Sequence, residues 1–380
     1  MFSQQLIYST ALLGLSTAYA TPRATLSDDG FPDPNAQQLL SIEQQADGLL
    51  SNLPPPPTLS QAGIANFQLI AFNENLEVQF FEDIISNITN HVPGFESFKS
   101  STYSEAAILE ILKTVKAQEE LHAITAITTL EHFNAPLVPK PCTYRFPSTT
   151  LEEAITLAET LTAVVLGTLQ DAEQSFAKNG DDGPVRAVSS VIGQEGEQNG
   201  FYRSILNRKP SEKPFLTTNV AAFAFSALQQ FVVSCPFDLT QIPIPIFPAL
   251  NVLTTAEARD MYLSFSADLT GNPQISEGSD FASLFVTYLV GQQLPISEPV
   301  INPKFDGGVL TFDALFPFTE NLMSGLSIAA LTNSSNFANA DALVANTLAA
   351  PGLIQVNEVL LPNHKAGNYS RFASYPSRHV

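Results

Sequence analysis

Positive charge is scarce in this chain, and tryptophan is absent. Charged residues make up only 14% of the 380 residues, and 37 acidic side chains face 17 Lys and Arg, for a formal net charge of −20. This balance argues against nucleic acid or an anionic membrane as a partner, because both attract positive protein surfaces. It fits a protein of an acidic medium or one that attracts cations, and both interpretations stay open.

Several signatures of known chemistry are also missing. The chain has no Gly-x-Ser-x-Gly elbow, no Gly-rich phosphate loop and no His-Glu-x-x-His motif, which argues against the hydrolases, nucleotide-binding proteins and zinc proteases that carry them. Beyond the N-terminus, no stretch reaches the ~18 uninterrupted apolar residues that a membrane span needs. We therefore expect no membrane partner.

The N-terminus has the features of a secretory signal. An apolar run from Leu6 to Leu15 precedes the small-x-small tripeptide Ala18-Tyr19-Ala20, although Lys and Arg are missing before the run. We expect residues 1–20 to be a signal peptide and the protein to be secreted, extracellular or bound to a cell wall. Candidate glycan acceptors lie in three Asn-x-Ser/Thr tripeptides: Asn87, Asn333 and Asn368.

There are only two cysteines, Cys142 and Cys235. In an oxidising compartment such a pair fits a single disulfide. Two buried free thiols are the alternative, and a zinc site with only two cysteines is disfavoured.

Hydrophobic periodicity divides the chain into helical and β regions. We expect a Pro-rich linker over residues 21–58, a four-helix bundle over 59–205, and an extra helix with a Pro-rich connector over 206–248. Residues 249–380 carry short β-prone runs separated by Gly, Asn, Pro and Ser, which predicts a mainly β, sandwich-like domain with a tail. The fold class is thus multidomain, with α and β parts.

The most informative stretch is Glu119-Glu120-Leu121-His122. Residues 106–130 form an amphipathic pattern in which steps of three and four place Glu119 and His122 on the apolar face. Burying an unpaired carboxylate costs several kcal/mol, so an inward Glu-x-x-His predicts a cation or a hydrogen-bonding partner inside the bundle. Glu120 falls off this face, and we expect it to be solvated.

Two further predicted helices repeat this arrangement. Glu74 and Glu77 interrupt an apolar face in the first helix, and Glu195-x-x-Gln198 in the fourth matches the spacing of Glu119-x-x-His122. The third helix has Thr162 on its inner face, and Glu159 is expected on the flank. The predicted ligand set is therefore Glu74, Glu77, Glu119, His122, Glu195 and Gln198.

These residues resemble a known family. The runs Asn66-Phe67, Glu74 to Phe81, Glu119 to His122 and Gln194 to Arg203 are similar to the ferritin-like domain of fungal late sexual development proteins, fungal stress-response proteins and plant desiccation-related proteins. The resemblance covers roughly residues 60–205 and implies a ferritin-like bundle. The chain departs from the family pattern at Thr162, where a Glu is expected, and at Gln198, where a His is expected.

The donor set suits iron, manganese or zinc. A pair of divalent ions needs about four carboxylates in a ferritin-like site, so one ion is favoured over two. Protonated carboxyls hydrogen-bonded to His122 and Gln198 are the metal-free alternative. Two functions follow: a secreted metal-binding protein of sexual development or stress response with at most a residual oxidase activity, or a non-catalytic extracellular or cell-wall protein that contacts a cell-wall or protein partner through its C-terminal domain.

Overall fold

The computed structural model describes residues 29–96, 103–276 and 278–357. The predicted signal peptide over residues 1–20, the sequon at Asn368 and the predicted C-terminal tail lie outside these ranges. Six main helices occupy the first part of the described chain: α1 (Ala36–Gln45), α2 (Gln61–Thr89), α3 (Glu105–His132), α4 (Leu151–Asn179), α5 (Val185–Ile205) and α6 (Ala221–Gln229).

Local signals define the helix ends. The side chains of Ser60, Ser104 and Thr150 each accept a hydrogen bond from a backbone N–H in the first turn of α2, α3 and α4, which satisfies a donor that the helix leaves unpaired. Helix α4 ends before Gly180, whose φ of 77° places it in the left-handed conformation that favours glycine. Helices α2 to α5 form the bundle, with α2 packed on α3 and α4 on α5.

The connection from α3 to α4 is long and is tied to the rest of the chain. Its strand β1 (Thr143–Tyr144) pairs with β2 (Val232–Ser234), which follows α6. Beside this pair, Cys142 and Cys235 form a disulfide across a sequence separation of 93 residues. The predicted disulfide is therefore present, and it joins the crossover of the bundle to the segment after α6.

The prediction of a linker over residues 21–58 was wrong in part, because this segment contains α1. Asn35 and Gln38 form a reciprocal capping box at its start. Phe31 and Ile42 are buried in an apolar cluster with Leu121 of α3. The segment packs on the outside of α3 because it has enough apolar side chains to cover that face.

The described part of the C-terminal region contains eight further strands: β3 (Leu250–Val252), β4 (Met261–Asp268), β5 (Phe285–Val290), β6 (Ile296–Pro299), β7 (Ile301–Asp306), β8 (Val309–Phe316), β9 (Gly325–Thr332) and β10 (Thr347–Val356). They form two four-stranded antiparallel sheets, one with the order β10-β9-β5-β6 and the other with the order β3-β4-β8-β7. A short helix, α7 (Phe318–Asn321), connects β8 to β9. The predicted combination of a helical bundle and a mainly β, sandwich-like region is confirmed.

Strand β9 shows how the two regions meet. All of its residues are buried. Ala329 and Leu331 pack in the core between the sheets, whereas Leu326, Ile328 and Ala330 pack against α4 and α6. Because side chains alternate between the faces of a strand, a strand covered on both sides needs a continuous apolar run. Within the described ranges, no helix is long and apolar enough to cross a membrane.

Candidate metal centre

Four side chains from three helices meet in the bundle interior. Glu74 on α2, Glu119 and His122 on α3, and Glu195 on α5 each offer one ligand atom, and these atoms all lie within 4.8 Å of one another. The three carboxylate residues are about 1% exposed, so water does little to screen their mutual repulsion. This is the inward constellation that the helical periodicity predicts.

Within the cluster, His122 bridges two of the carboxylates. Its Nδ1 lies 2.9 Å from Oε2 of Glu119 and 3.6 Å from Oε2 of Glu74. Burial alone lowers the pKa of His122, but the charge and hydrogen bond of Glu119 and the nearby carboxylate of Glu74 outweigh it and hold the pKa well above the usual value. Without a bound ion, the raised pKa favours the protonated ring beside the acidic groups, and a metal ion that binds His122 displaces this proton.

Two of the acidic members, Glu74 and Glu195, are destabilised as anions. Burial raises the pKa of Glu74 to about 7. Burial also raises the pKa of Glu195 well above its usual value, and the charges of Glu74 and Glu119 raise it further. Both carboxylate oxygens of Glu195 have no hydrogen-bond partner, and Oε2 of Glu74 lies 3.6 Å from Nδ1 of His122, which is too far for a hydrogen bond. Buried polar atoms are almost always paired in folded proteins, so these oxygens call for a partner such as a cation.

The remaining two predicted ligands border the cluster. Glu77 is buried, and its Oε2 accepts a 2.7 Å hydrogen bond from Nδ2 of Asn73. Burial raises the pKa of Glu77 well above its usual value, with further contributions from Glu195 and Glu119. Gln198 donates through Nε2 to Oε1 of Glu119 at 2.6 Å. The structure thus brings all six predicted residues into one neighbourhood, with four of them in the tight cluster.

The expectation that Glu120 is solvated was wrong. Its side chain is buried, and Oε1 lies 2.8 Å from Nζ of Lys116, one turn earlier on α3. Lys116 also contacts Asp29 at 2.8 Å. The N-terminal segment with α1 covers this face of α3, so a position that periodicity assigns to solvent is enclosed by an element that was predicted as a linker.

The expectation for Glu159 of α4 was also wrong. Glu159 is fully buried and forms ion pairs with Arg203 and, at 2.9 Å, with Arg208. It points to the end of α5 and does not join the cluster, and Thr162, one turn later, supplies no carboxylate. The sequence offered one signal for this contact. Arg203 in the last turn of α5 and Arg208 just after it indicate a buried acidic partner nearby.

Comparison with known proteins supports the same region. The family model described as "Ferritin-like domain" matches residues 60–208. The protein rds1 of the fission yeast Schizosaccharomyces pombe is 27% identical over 168 residues, which are 42% of this chain and 39% of rds1. The matched part therefore spans about two fifths of the length of that relative. The family match covers α2 to α5 and every residue of the cluster.

Proposed function

From the premise that residues 60–208 are a ferritin-like domain, we propose that this protein binds one transition-metal ion inside its bundle. The ligands in this proposal are Glu74, Glu119, His122 and Glu195, and the ion is iron, manganese or zinc. When bound, such an ion supplies Lewis acidity and, for iron and manganese, redox chemistry. The proposed setting is a secreted fungal protein of sexual development or stress response.

The carboxylate of Glu195, both of whose oxygens lack a hydrogen-bond partner, carries this proposal. A metal-free neutral core needs every buried polar group to find a partner. His122 and Gln198 both contact Glu119, and neither makes a hydrogen bond with Glu195. A cation between these side chains supplies the partner that the carboxylate of Glu195 lacks.

The donor count favours a single ion. Only three carboxylates belong to the tight cluster, whereas a ferritin-like pair of ions uses about four together with two histidines. Helix α4 contributes no carboxylate, since Glu159 is paired with Arg203. The site therefore has the charge for one divalent ion.

Residues around the cluster hold its ligands in place. Gln198 orients Glu119 by donating to Oε1, while His122 occupies the Oε2 side of the same carboxylate. The hydroxyl of Tyr202, which is fully buried, donates to Oε1 of Gln198 at 3.4 Å and fixes the direction of the amide. Such outer contacts set the orientation of a ligand and tune its affinity for metal.

Secretion belongs to the proposal and draws support from the Cys142–Cys235 disulfide, since stable disulfides are typical of oxidising compartments. Of the predicted glycan acceptors, Asn333 is exposed and Asn87 is buried. Glycosylation at Asn333 is therefore compatible with the folded chain, whereas the Asn87 side chain lacks the access that a glycan needs.

A second candidate function is that of a non-catalytic extracellular or cell-wall protein with the bundle as scaffold. An open polar cleft on the outer face of the β3-β4-β8-β7 sheet favours it. Asp313 accepts hydrogen bonds there from Ser264 at 2.6 Å and Asn302 at 2.9 Å, and Lys304 lines the same cleft. Clustered hydroxyl, amide and charged groups on an open surface suit a polysaccharide or protein partner.

Elemental analysis of natively purified protein separates the two candidates. We expect near-stoichiometric iron, manganese or zinc in the wild type and its loss in His122→Ala. The matched control is His132→Ala, because His132 lies on the same helix but is exposed and remote from the cluster. A wild type that is fully folded, free of metal and unable to take up added metal leaves only the second candidate.

A further inference from the structure

The outer face of the β3-β4-β8-β7 sheet carries a cleft of about 500 Å³. Side chains alternate between the two faces of a strand, and in β4 the buried residues Leu263 and Phe265 alternate with Tyr262 and Ser264 on the outside. Pairing of β4 with β8 places Ser264 opposite Asp313. The volume lies within the roughly 300–1,000 Å³ that ligand sites usually have.

The carboxylate of Asp313 is held in the cleft by two neighbours. Its Oδ2 accepts a 2.9 Å hydrogen bond from Nδ2 of Asn302, and its Oδ1 accepts a 2.6 Å hydrogen bond from the hydroxyl of Ser264. These two hydrogen bonds, first that of Asn302, lower the pKa of Asp313 and keep the group ionised. Each carboxylate oxygen can accept a further hydrogen bond. The cleft therefore presents two fixed acceptors side by side, next to an amide and a hydroxyl.

An irregularity in β7 positions Asn302. The register of β7 against β8 shifts between Ile301 and Lys304, and Asn302 has a φ of 52°. Among residues other than glycine, asparagine adopts this left-handed conformation most readily. Shifts of this kind turn a side chain to a new direction and are frequent beside binding sites. The backbone of β7 thus departs from regular geometry at the residue whose amide contacts Asp313.

The same strand disfavours a protein partner that adds a strand to the sheet. Strand β7 lies at the edge of its sheet, where unpaired backbone groups could pair with another chain. Pro303 has no N–H to donate, Lys304 is exposed, and the register shift distorts the edge. Natural proteins use these three devices to keep edge strands from pairing. The outer face of the sheet, and not its edge, is therefore the surface available to a ligand.

Charge and aromatic character indicate the kind of ligand. The charged residues that line the cleft are Asp313 and Lys304, whose formal charges cancel, so an uncharged ligand fits better than an ion. Tyr262 is 59% exposed and lies on the same face, two residues before Ser264. The face of an aromatic ring is electron-rich and attracts the weakly positive C–H groups of a sugar ring. A fixed carboxylate beside an amide matches a pair of neighbouring sugar hydroxyls.

We propose that this cleft binds a neutral polysaccharide chain. Two hydroxyls of one sugar donate to the carboxylate of Asp313, the amide of Asn302 donates to a sugar oxygen, and Tyr262 packs against a sugar ring. The inference rests on the second candidate function proposed above, whose ligand class it names. It does not depend on a metal ion in the bundle, because the cleft is formed by the sandwich alone.

Titration calorimetry of the full chain with defined oligosaccharides tests the proposal. The neutral probes are laminarihexaose, cellohexaose, chitohexaose and mannohexaose, and an oligogalacturonate is the anionic probe. We expect saturable binding of at least one neutral probe, with the same affinity at low and high salt, because salt does not screen an uncharged ligand. Metal-free and metal-loaded protein should bind it alike.

Two variants and two matched controls locate the site. Asn302→Gly removes the amide while glycine keeps the positive φ, and Tyr262→Ala removes the exposed ring. Each is expected to weaken oligosaccharide binding by about tenfold, the loss of roughly one hydrogen bond or ring contact. Asn134→Gly is the control for the first, since Asn134 is exposed with a φ of 49° at the end of α3. Tyr103→Ala is the control for the second, since Tyr103 is 43% exposed and lies before α3.

Three results overturn the inference: no saturable binding of any neutral probe, binding of the oligogalacturonate alone, or unchanged affinity in both Asn302→Gly and Tyr262→Ala. Retention of the wild type on isolated cell walls without binding of a neutral probe contradicts this inference and leaves the second candidate function standing. Because the titration does not need metal, its outcome is also separate from elemental analysis. A protein that binds a neutral probe but no metal contradicts the metal proposal alone.

Discussion

The side-chain amide of Gln198 donates a 2.6 Å hydrogen bond to Oε1 of Glu119, although the two residues lie on different helices. Gln198 stands where the resemblance to the ferritin-like family leads us to expect a histidine. It uses that position to orient a carboxylate, so the departure from the pattern replaces a potential ligand with a residue that positions one.

Replacing Gln198 by Leu removes the donor and leaves Oε1 of Glu119 unpaired inside the bundle. Because outer contacts of this kind are worth about 10–100-fold in metal affinity, we expect the dissociation constant for added metal to rise by about that factor. Competition with a coloured chelator measures it. Gln194→Leu is the control, since Gln194 contacts Gln118 and no ligand; equal affinities for both variants contradict a positioning role for Gln198.

Glu159 is expected to matter for stability and not for metal. Removing one partner of a buried ion pair costs about 3–5 kcal/mol when the other charge is left unpaired. Arg203 is nearly fully buried but keeps a second ion pair with Glu212 at 3.6 Å, so this range is an upper limit here. Glu159→Gln should therefore lower the free energy of unfolding in urea by up to that amount while metal content stays at the wild-type level. Glu197→Gln, at an exposed position of α5, should change neither. Loss of metal in folded Glu159→Gln contradicts the assignment of Glu159 outside the site.

Asp171 predicts a dependence of stability on pH. Burial raises its pKa from 3.8 to about 6. The native state therefore holds this proton more tightly than the unfolded chain, and the contribution of Asp171 to stability falls as the pH rises through that window. Asp171→Asn keeps an acceptor for the N–H of Ala221 and cannot ionise. As the pH rises from 4 to 7, we expect the free energy of unfolding of Asp171→Asn to increase by about 1–3 kcal/mol relative to that of the wild type.

Chemical denaturation at several pH values measures this difference. Asp182→Asn, at an exposed position, is the control. Its free energy of unfolding should change with pH as that of the wild type does. A constant difference between wild type and Asp171→Asn across the window contradicts the prediction.

The disulfide is expected to contribute substantially to stability. It closes a segment with a sequence separation of 93 residues, and removing a native disulfide typically costs about 2–5 kcal/mol. Replacing both Cys142 and Cys235 by Ala should lower the free energy of unfolding by that amount, and a reducing agent should destabilise the wild type but not the variant. Mass analysis after alkylation without reduction is expected to find no free thiol; two alkylated thiols contradict the bridge.

The sequence alone determined the main elements and the direction of the inner acids. Periodicity in steps of three and four turned Glu74, Glu119, His122 and Glu195 toward one interior, because the geometry of a helix depends only on local repetition. The alternation of apolar residues and turn signals likewise identified the β region. The disulfide was predictable because the chain has only two cysteines and an N-terminus with secretory features.

Tertiary structure decided which groups are covered and how each acid is neutralised. Glu120 is buried only because α1 folds back over α3, and Glu159 is buried only because the end of α5 brings Arg203 to it. The cleft over Asp313 exists because β4, β8 and β7 lie side by side in one sheet. Burial and pairing depend on contacts between residues distant in sequence, and no local pattern records which segment packs against a given face.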